Sequence, residues 1–398
     1  MAGMLENVTW YDGGMKRLPI IAIFFLASII FAISSSAWGL EHLTYRKDGG
    51  DTRISGRVVV EAADGGLLVV TADGVMHAIQ PDEIANRSHD DAPFEPFDKA
   101  AVGRQLASSL PDGFQVYTTS HYVICYDTSK AYAEWCGALF ERLYRAFTNY
   151  WSRKGFDMHE PEFPLVAVVF ADRAAYLNYA KAELGDSAES IIAYYNLQNN
   201  RIAMYDLTGI ESLRLPGSSR GSAAQINRML AQPQAEATVA TIIHEATHQI
   251  AFNSGLQTRF ADIPLWVSEG LAVYFETPDL QSAKGWRNIG AVNRSRLDRF
   301  REYLSTRNGD SLRSLIVDDK RIRDPRQALD AYAEAWAFNY YLLRQKPREY
   351  LAYLKKLSAK SPMVRDTPEE RMKDFQEAFG DNLQPLDNDL LRTIGKVK

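Results

Sequence analysis

The chain has 398 residues, 46% of them apolar and 24% charged, with a formal net charge of −5. That apolar content is enough for a large core, and the acidic balance, with a pI near 5.9, argues against a nucleic-acid partner. There is no internal repeat or low-complexity tract, and hydropathy shows no membrane span beyond the N-terminal segment. That segment begins Met15-Lys16-Arg17, continues as an apolar run over 18–33 and ends with Ser35-Ser36-Ala37, the order of a secretory signal and its cleavage site. The run is 16 residues long and contains Pro19, short of the roughly 20 that a transmembrane helix needs. Residues 1–37 therefore read as a signal peptide, a start at Met15 making an ordinary one, and the mature protein as exported to the periplasm, cell envelope or medium. A membrane is a partner only if the segment stays uncleaved as an anchor.

Residues 38–87 read as a small antiparallel β module: apolar runs at 57–60, 67–70 and 75–79 are separated by Asp64-Gly65-Gly66 and Asp73-Gly74. The module carries no chemical constellation and reads as an accessory or docking piece. Residues 88–110 read as a linker, with Pro93 and Pro96 near its start. From 111 to 283 a catalytic core is expected, opening with a strand over 122–126, a helix over 130–151, a strand over 165–170 and a helix over 173–183. Residues 191–195 and 201–205 form a hairpin across Leu197-Gln198-Asn199-Asn200, and the Gly-, Ser- and Arg-rich stretch 208–231 reads as a flap. Cys125 and Cys136 are the only cysteines; in an exported protein they are consistent with one disulfide, or equally with two buried thiols.

The most informative segment is His244-Glu245-Ala246-Thr247-His248, the H-E-x-x-H pattern of the zincins. Residues four apart lie on one helical face, so both imidazoles can reach one ion, with Glu245 beside them to activate water. The flanking Val239, Ile242, Ile243, Ala246, Ile250 and Ala251 make 235–253 a mostly apolar helix. A buried helix carrying His, Glu and His needs something to satisfy them.

Catalytic zinc usually takes three protein ligands and leaves one position open. The seven histidines stand at 42, 77, 89, 121, 159, 244 and 248, so none follows the motif, and Ala251 and Ser254 occupy the Gly and His places of the metzincin continuation. A downstream ligand is therefore a carboxylate. Glu269 is the best candidate, 21 positions after His248 on a second helix opened by Pro264, where the small Gly270 and Ala272 permit close packing on the first helix. Asp262 and Glu276 are the competitors, Glu276 reading better as a supporting or surface residue.

The pair H-E-x-x-H and W-x-x-E-G-x-A-x-Y-F-E, at 244–248 and 266–276, resembles the gluzincin metallopeptidases, the group that includes thermolysin and the zinc aminopeptidases. It looks most like a secreted bacterial branch described as a domain of unknown function with a peptidase-like core. The resemblance runs from about His121 to the C-terminus. It implies one zinc ion on His244, His248 and Glu269, Glu245 as general base, and an α+β fold: a zincin-like mixed sheet with an active-site helix, then a helical part. In this group the sheet before the active-site helix has an edge strand that binds substrate backbone, which makes the hairpin a candidate peptide-binding edge. Thermolysin carries an Asp four residues after its ligand Glu, where this chain has Val273, so the partner of the first histidine is unidentified. Thermolysin's downstream oxyanion histidine is also missing, and Tyr332, near the place where the aminopeptidases supply a tyrosine, is the candidate substitute, or equally, in a chain with twenty tyrosines, a core aromatic.

Residues 284–398 read as a helical subdomain, with helix-period apolar residues over 294–304, 328–344, 347–357 and 369–379. Arg287, Arg294 and Arg296 could bind a substrate carboxylate but read better as a solvated basic face. The resulting expectation is an exported zinc metallopeptidase acting on peptides. The alternatives are a zinc-binding interaction protein that has lost catalysis and a zinc hydrolase of a non-peptide amide or ester, both compatible with the same residues.

Overall fold

A computed structural model describes residues 39–47, 49–209, 222–277 and 289–398. The expected signal segment, residues 210–221 of the expected flap and Arg287 lie outside the described residues. The fold is mixed α+β: an N-terminal antiparallel sheet, a second, mixed sheet, and a helical C-terminal half.

The first sheet comprises β1 (Glu41–Lys47), β2 (Gly50–Glu61), β3 (Leu67–Thr71), β4 (Met76–Ile79) and β5 (Ile84–His89), in the order β4-β3-β2-β1-β5. The three strands read from sequence are β2 to β4, and Gly65 and Gly74 turn the chain between them at φ 91° and 81°. The sequence reading missed β1 and β5. In β1, Leu43 and Tyr45 alternate with polar residues over too short a span, and β5 has five exposed residues out of six. Arg87 on β5 is held by Glu41 and Glu61, each at 3.0 Å, so the strand is fixed by ion pairs rather than by an apolar face.

The expected linker is corrected as well: β5 extends into it, and α1 (Lys99–Ser109) occupies its second half, with the Asp98 carboxylate accepting from the Ala101 N–H at 2.7 Å. Gly103 hides this helix from a propensity reading, yet a Cβ there would stand 2.8 Å from Val116 Cγ1, so glycine is what lets α1 lie on β6 (Gln115–Thr118).

The second sheet adds β7 (Tyr122–Tyr126), β8 (Leu165–Phe170), β9 (Ala193–Asn196) and β10 (Arg201–Tyr205), in the order β6-β7-β8-β10-β9. The three central strands are parallel and the two edge strands antiparallel. Both faces are covered, which is why β7 and β8 read as unbroken apolar runs. On one face Ile124, Ala167, Val169 and Met204 meet α2 (Lys130–Arg153) and α5 (Glu236–Asn253); on the other Val123, Val166, Val168 and Phe170 meet α1 and α3 (Arg173–Leu184). Cys125 belongs to the second face and Cys136, on α2, to the first. The sheet stands between them, both thiols are free, and the disulfide option falls.

The end of the expected flap is α4 (Ala223–Leu230), which buries Ile226, Met229 and Leu230 against the main core. After α6 (Leu265–Phe275), the chain continues as α7 (Arg294–Tyr303), α8 (Ser311–Val317), α9 (Lys320–Arg323), α10 (Ala328–Gln345), α11 (Pro347–Ser358), α12 (Pro368–Phe379) and α13 (Leu383–Gly395). The short α8 and α9, and α13 with Pro385 in its first turn, were not read from sequence. One apolar core runs from Tyr122 to Ile394, across the expected boundary at 283/284.

Candidate metal centre

All eleven residues of α6 are buried, so the helix is covered on every side, Ser268 and Glu269 included. Trp266 stacks among Phe338, Tyr350 and Tyr353. Gly270 allows a close approach, though to α10 rather than α5: a Cβ there would fall 2.0 Å from Asn339 Nδ2 and 2.8 Å from the Ala335 carbonyl. Asn339 in turn donates to the Trp266 carbonyl at 2.9 Å, which ties the two helices through a buried hydrogen bond. The loop from α5 turns at Gly255, φ 92°, and brings α6 back beside α5.

The consequence is that His244, His248 and Glu269 converge, their ligand atoms all within 4.8 Å of one another. His244 Nε2 lies 3.1 Å from His248 Nε2 and 3.1 Å from Glu269 Oε2, and His248 Nε2 lies 3.6 Å from Glu269 Oε1. The outer ring nitrogens have their own partners. His244 Nδ1 is 3.0 Å from Glu276 Oε2, and His248 Nδ1 is 3.3 Å from Ser268 Oγ, whose hydroxyl donates to Gln257 Oε1 at 3.1 Å. A carboxylate can only accept and the Ser268 proton is already committed, so both Nδ1 atoms carry hydrogen, and each ring in its neutral form presents its Nε2 lone pair. Two imidazole lone pairs and a carboxylate that is 0% exposed thus face one point.

That donor set fits a divalent cation of borderline softness, since neutral imidazole and carboxylate oxygen both suit zinc. Without a cation, one proton must serve. Burial alone lowers the His244 pKa, but hydrogen bonds to Glu269 and Glu276 outweigh it and raise the ring to about 10. Glu269 is held well below the usual carboxylate range: the two histidines overcome its burial.

Glu276, the weaker sequence candidate, fills the supporting place left open by Val273, two helical turns beyond Glu269 on the same face. Its other oxygen accepts from Asn293 Nδ2 at 2.9 Å and lies 3.9 Å from Arg296 Nε. Asp262 is excluded as a ligand because its carboxylate is spent on Arg371, at 2.7 and 3.1 Å, and on the Asp366 N–H at 3.0 Å. Arg296 is buried and stands 5.4 Å over the Tyr332 ring, so it is no solvated basic residue; Arg294 is exposed.

Glu245 lies beside the triad, and burial, stronger than the pull of the His244 cation, pushes its pKa up to about 7. Its Oε2 accepts the backbone N–H of Tyr195 at 2.8 Å, from β9 on the outer edge of the second sheet. Tyr332, on α10, has a buried hydroxyl beside Glu269; burial, and then the charge and hydrogen bonding of Glu269, drive its pKa well above that of a free phenol. Sequence reasoning missed Ser268, Gln257, Asn293 and the Tyr195 amide. Only Ser268, adjacent to Glu269, had a positional clue.

Residues 238–364 match the model of DUF1570, a family described as a protein of unknown function. The match covers about a third of the chain and contains His244, Glu245, His248, Glu269, Glu276 and Tyr332, but none of the N-terminal sheet. No curated protein matches the chain.

Proposed function

We propose that the chain is an exported, zinc-dependent metallopeptidase of gluzincin type, with a zincin-like catalytic domain, one zinc ion on His244, His248 and Glu269, and Glu245 as general base. The observation that carries the reading is the convergence of three buried acceptors, two imidazoles fixed from behind and one carboxylate, with a second carboxylate, Glu245, beside them and not among them. A zinc ion held there would act as a Lewis acid toward a water molecule and a peptide carbonyl.

The chain's own groups supply the rest. With Oε2 occupied by the Tyr195 N–H, Glu245 presents Oε1 to water, and its carboxylate can take that proton and later return it to the leaving amine. The Tyr332 hydroxyl, buried beside Glu269, is the donor for the developing oxyanion; such a group typically contributes about 3 to 4 kcal/mol. Tyr195 stands on the edge strand of its sheet, so an extended peptide added alongside β9 would pass the base. Export rests on the N-terminal basic, apolar and small-residue sequence.

The test measures zinc content and peptide-library cleavage for wild type, Glu245→Gln and Glu269→Ala. About one zinc per wild-type chain is expected, with cleavage, metal but no activity in Glu245→Gln, and no metal in Glu269→Ala. Zinc bound without any peptide cleaved would sink the peptidase reading and favour a binding protein or a hydrolase of other amides or esters.

A further inference from the structure

The β9–β10 hairpin is a pair of short strands at a sheet edge, an element that is marginal by itself. Here its turn is unusually well held. Asn200 sits at φ 60° and is buried, exchanging hydrogen bonds with Asn253 of α5 at 2.8 and 2.7 Å, while its carbonyl accepts from Gln249 Nε2 at 2.9 Å. The Tyr195 hydroxyl donates to Asn200 Oδ1 at 2.7 Å. From α3, Glu183 accepts from Asn196 and Asn199 at 2.7 and 2.9 Å.

The remaining side of the turn is covered by the N-terminal sheet. The Met76 N–H donates to the Gln198 carbonyl at 2.8 Å, and at Gly74, φ 81°, a Cβ would stand 3.0 Å from Phe163 Cγ. Between the two turns stands Arg259, from the loop joining α5 to α6, which is buried and donates through Nη1 to the Gly74 carbonyl at 3.0 Å and the Leu197 carbonyl at 3.2 Å. Its hydrogen bonds go to two carbonyls on separate parts of the chain and not to a carboxylate, an expensive use of a buried guanidinium unless it joins those parts. Asp73 stiffens the same β3–β4 turn, accepting from Thr71 Oγ1 at 2.6 Å and from Gln105 Nε2 of α1 at 3.1 Å.

We infer that the N-terminal sheet is a working part of the centre: it braces the β9–β10 hairpin against α5 through Arg259, and so fixes the Tyr195 N–H that orients Glu245. Arg259 is a positioning residue, touching neither the metal ligands nor the base. The effect on turnover rests on Glu245 being the base; the bracing itself does not.

The full chain is compared as wild type, Arg259→Ala, Arg259→Lys and Asp73→Ala by amide hydrogen exchange, zinc content and peptide cleavage. Exchange protection over 193–205 is expected to fall about tenfold or more in Arg259→Ala and less in Asp73→Ala, with α10 to α13 and zinc content unchanged. Arg259→Lys should restore most of the protection, and turnover should follow the protection across the series. Should Arg259→Ala fail to fold, Arg259→Lys and Asp73→Ala are judged by the same local loss. Hairpin protection equal to wild type in the folded variants overturns the brace, as does a loss spread evenly over hairpin and C-terminal helices. If wild type cleaves nothing, exchange and metal content still decide the brace while the peptidase reading fails alone.

Discussion

Two buried carboxylates in this protein have opposite surroundings. Glu334, on α10, is 0% exposed and meets Arg307 and Arg321 at 2.8 Å each, with the Ser311 hydroxyl at 2.7 Å; Arg307 continues to Asp387 at 3.0 Å. Every charge there faces an opposite one within the chain. Glu269 is equally buried, yet its neighbours are imidazoles that turn their Nε2 atoms toward it and keep their Nδ1–H groups for Glu276 and Ser268. The first cluster closes on itself and links α8, α9, α10 and α13. The second is left asking for a positive charge from outside, and that difference separates a structural ion network from a metal centre more sharply than burial does.

Glu269→Ala should have the largest effect and break the comparison on its open side: metal content should drop from about one per chain to none while the fold survives. The check is metal analysis of the purified variant beside its circular dichroism. Glu334→Ala is the counterpart on the closed side, leaving two guanidiniums buried without their shared partner. Denaturant unfolding of the metal-free protein should show a loss of about 3 to 5 kcal/mol, with zinc affinity unchanged in any fraction that folds. If Glu334→Ala lost zinc as Glu269→Ala does, the two clusters would not be independent.

The supporting shell gives smaller effects. Glu276→Gln keeps an acceptor for His244 Nδ1–H but removes the charge behind it, and should weaken zinc binding by about 10- to 100-fold in a competition titration with a chelator. An unchanged affinity would mean that the 3.0 Å contact only orients the ring.

How much of this was legible depended on whether the deciding contact was local. His244, Glu245 and His248 sit on one helix, and Glu276 follows Glu269 by two turns, so helical periodicity alone places each pair on a common face. The rejection of Asp262 needed Arg371, 109 positions away, and no local pattern announces such a pair. The Tyr195 amide that holds Glu245 is backbone and leaves no mark in sequence. Gly270 was read as a small residue for close packing, which it is, but the partner helix was wrong because α10 comes 58 residues later in the chain, from 270 to 328. β5 and α1 were lost to exposure and to an internal glycine, and the disulfide option fell because neither sequence spacing nor cysteine count says which face of a strand a thiol takes.

The smallest effect belongs to Ser268, and it is the finest test of the open cluster. Its hydroxyl accepts from His248 Nδ1 at 3.3 Å, near the limit for a hydrogen bond, and passes its own proton to Gln257. Ser268→Ala would strand both the imidazole N–H and the Gln257 oxygen in a dry site, at a cost of about 1 to 3 kcal/mol if nothing replaces the hydroxyl. That cost falls on the metal-free and metal-bound proteins alike, whereas only the orientation of His248 Nε2 differs between them. The variant should therefore lower the stability of both states while weakening zinc by only a few-fold, about 1 kcal/mol or less. Thermal unfolding with and without zinc separates the two terms. A loss of affinity as large as that of Glu276→Gln would show that a neutral hydroxyl orients its imidazole as firmly as a carboxylate does, and the charge behind His244 would no longer account for the centre's affinity.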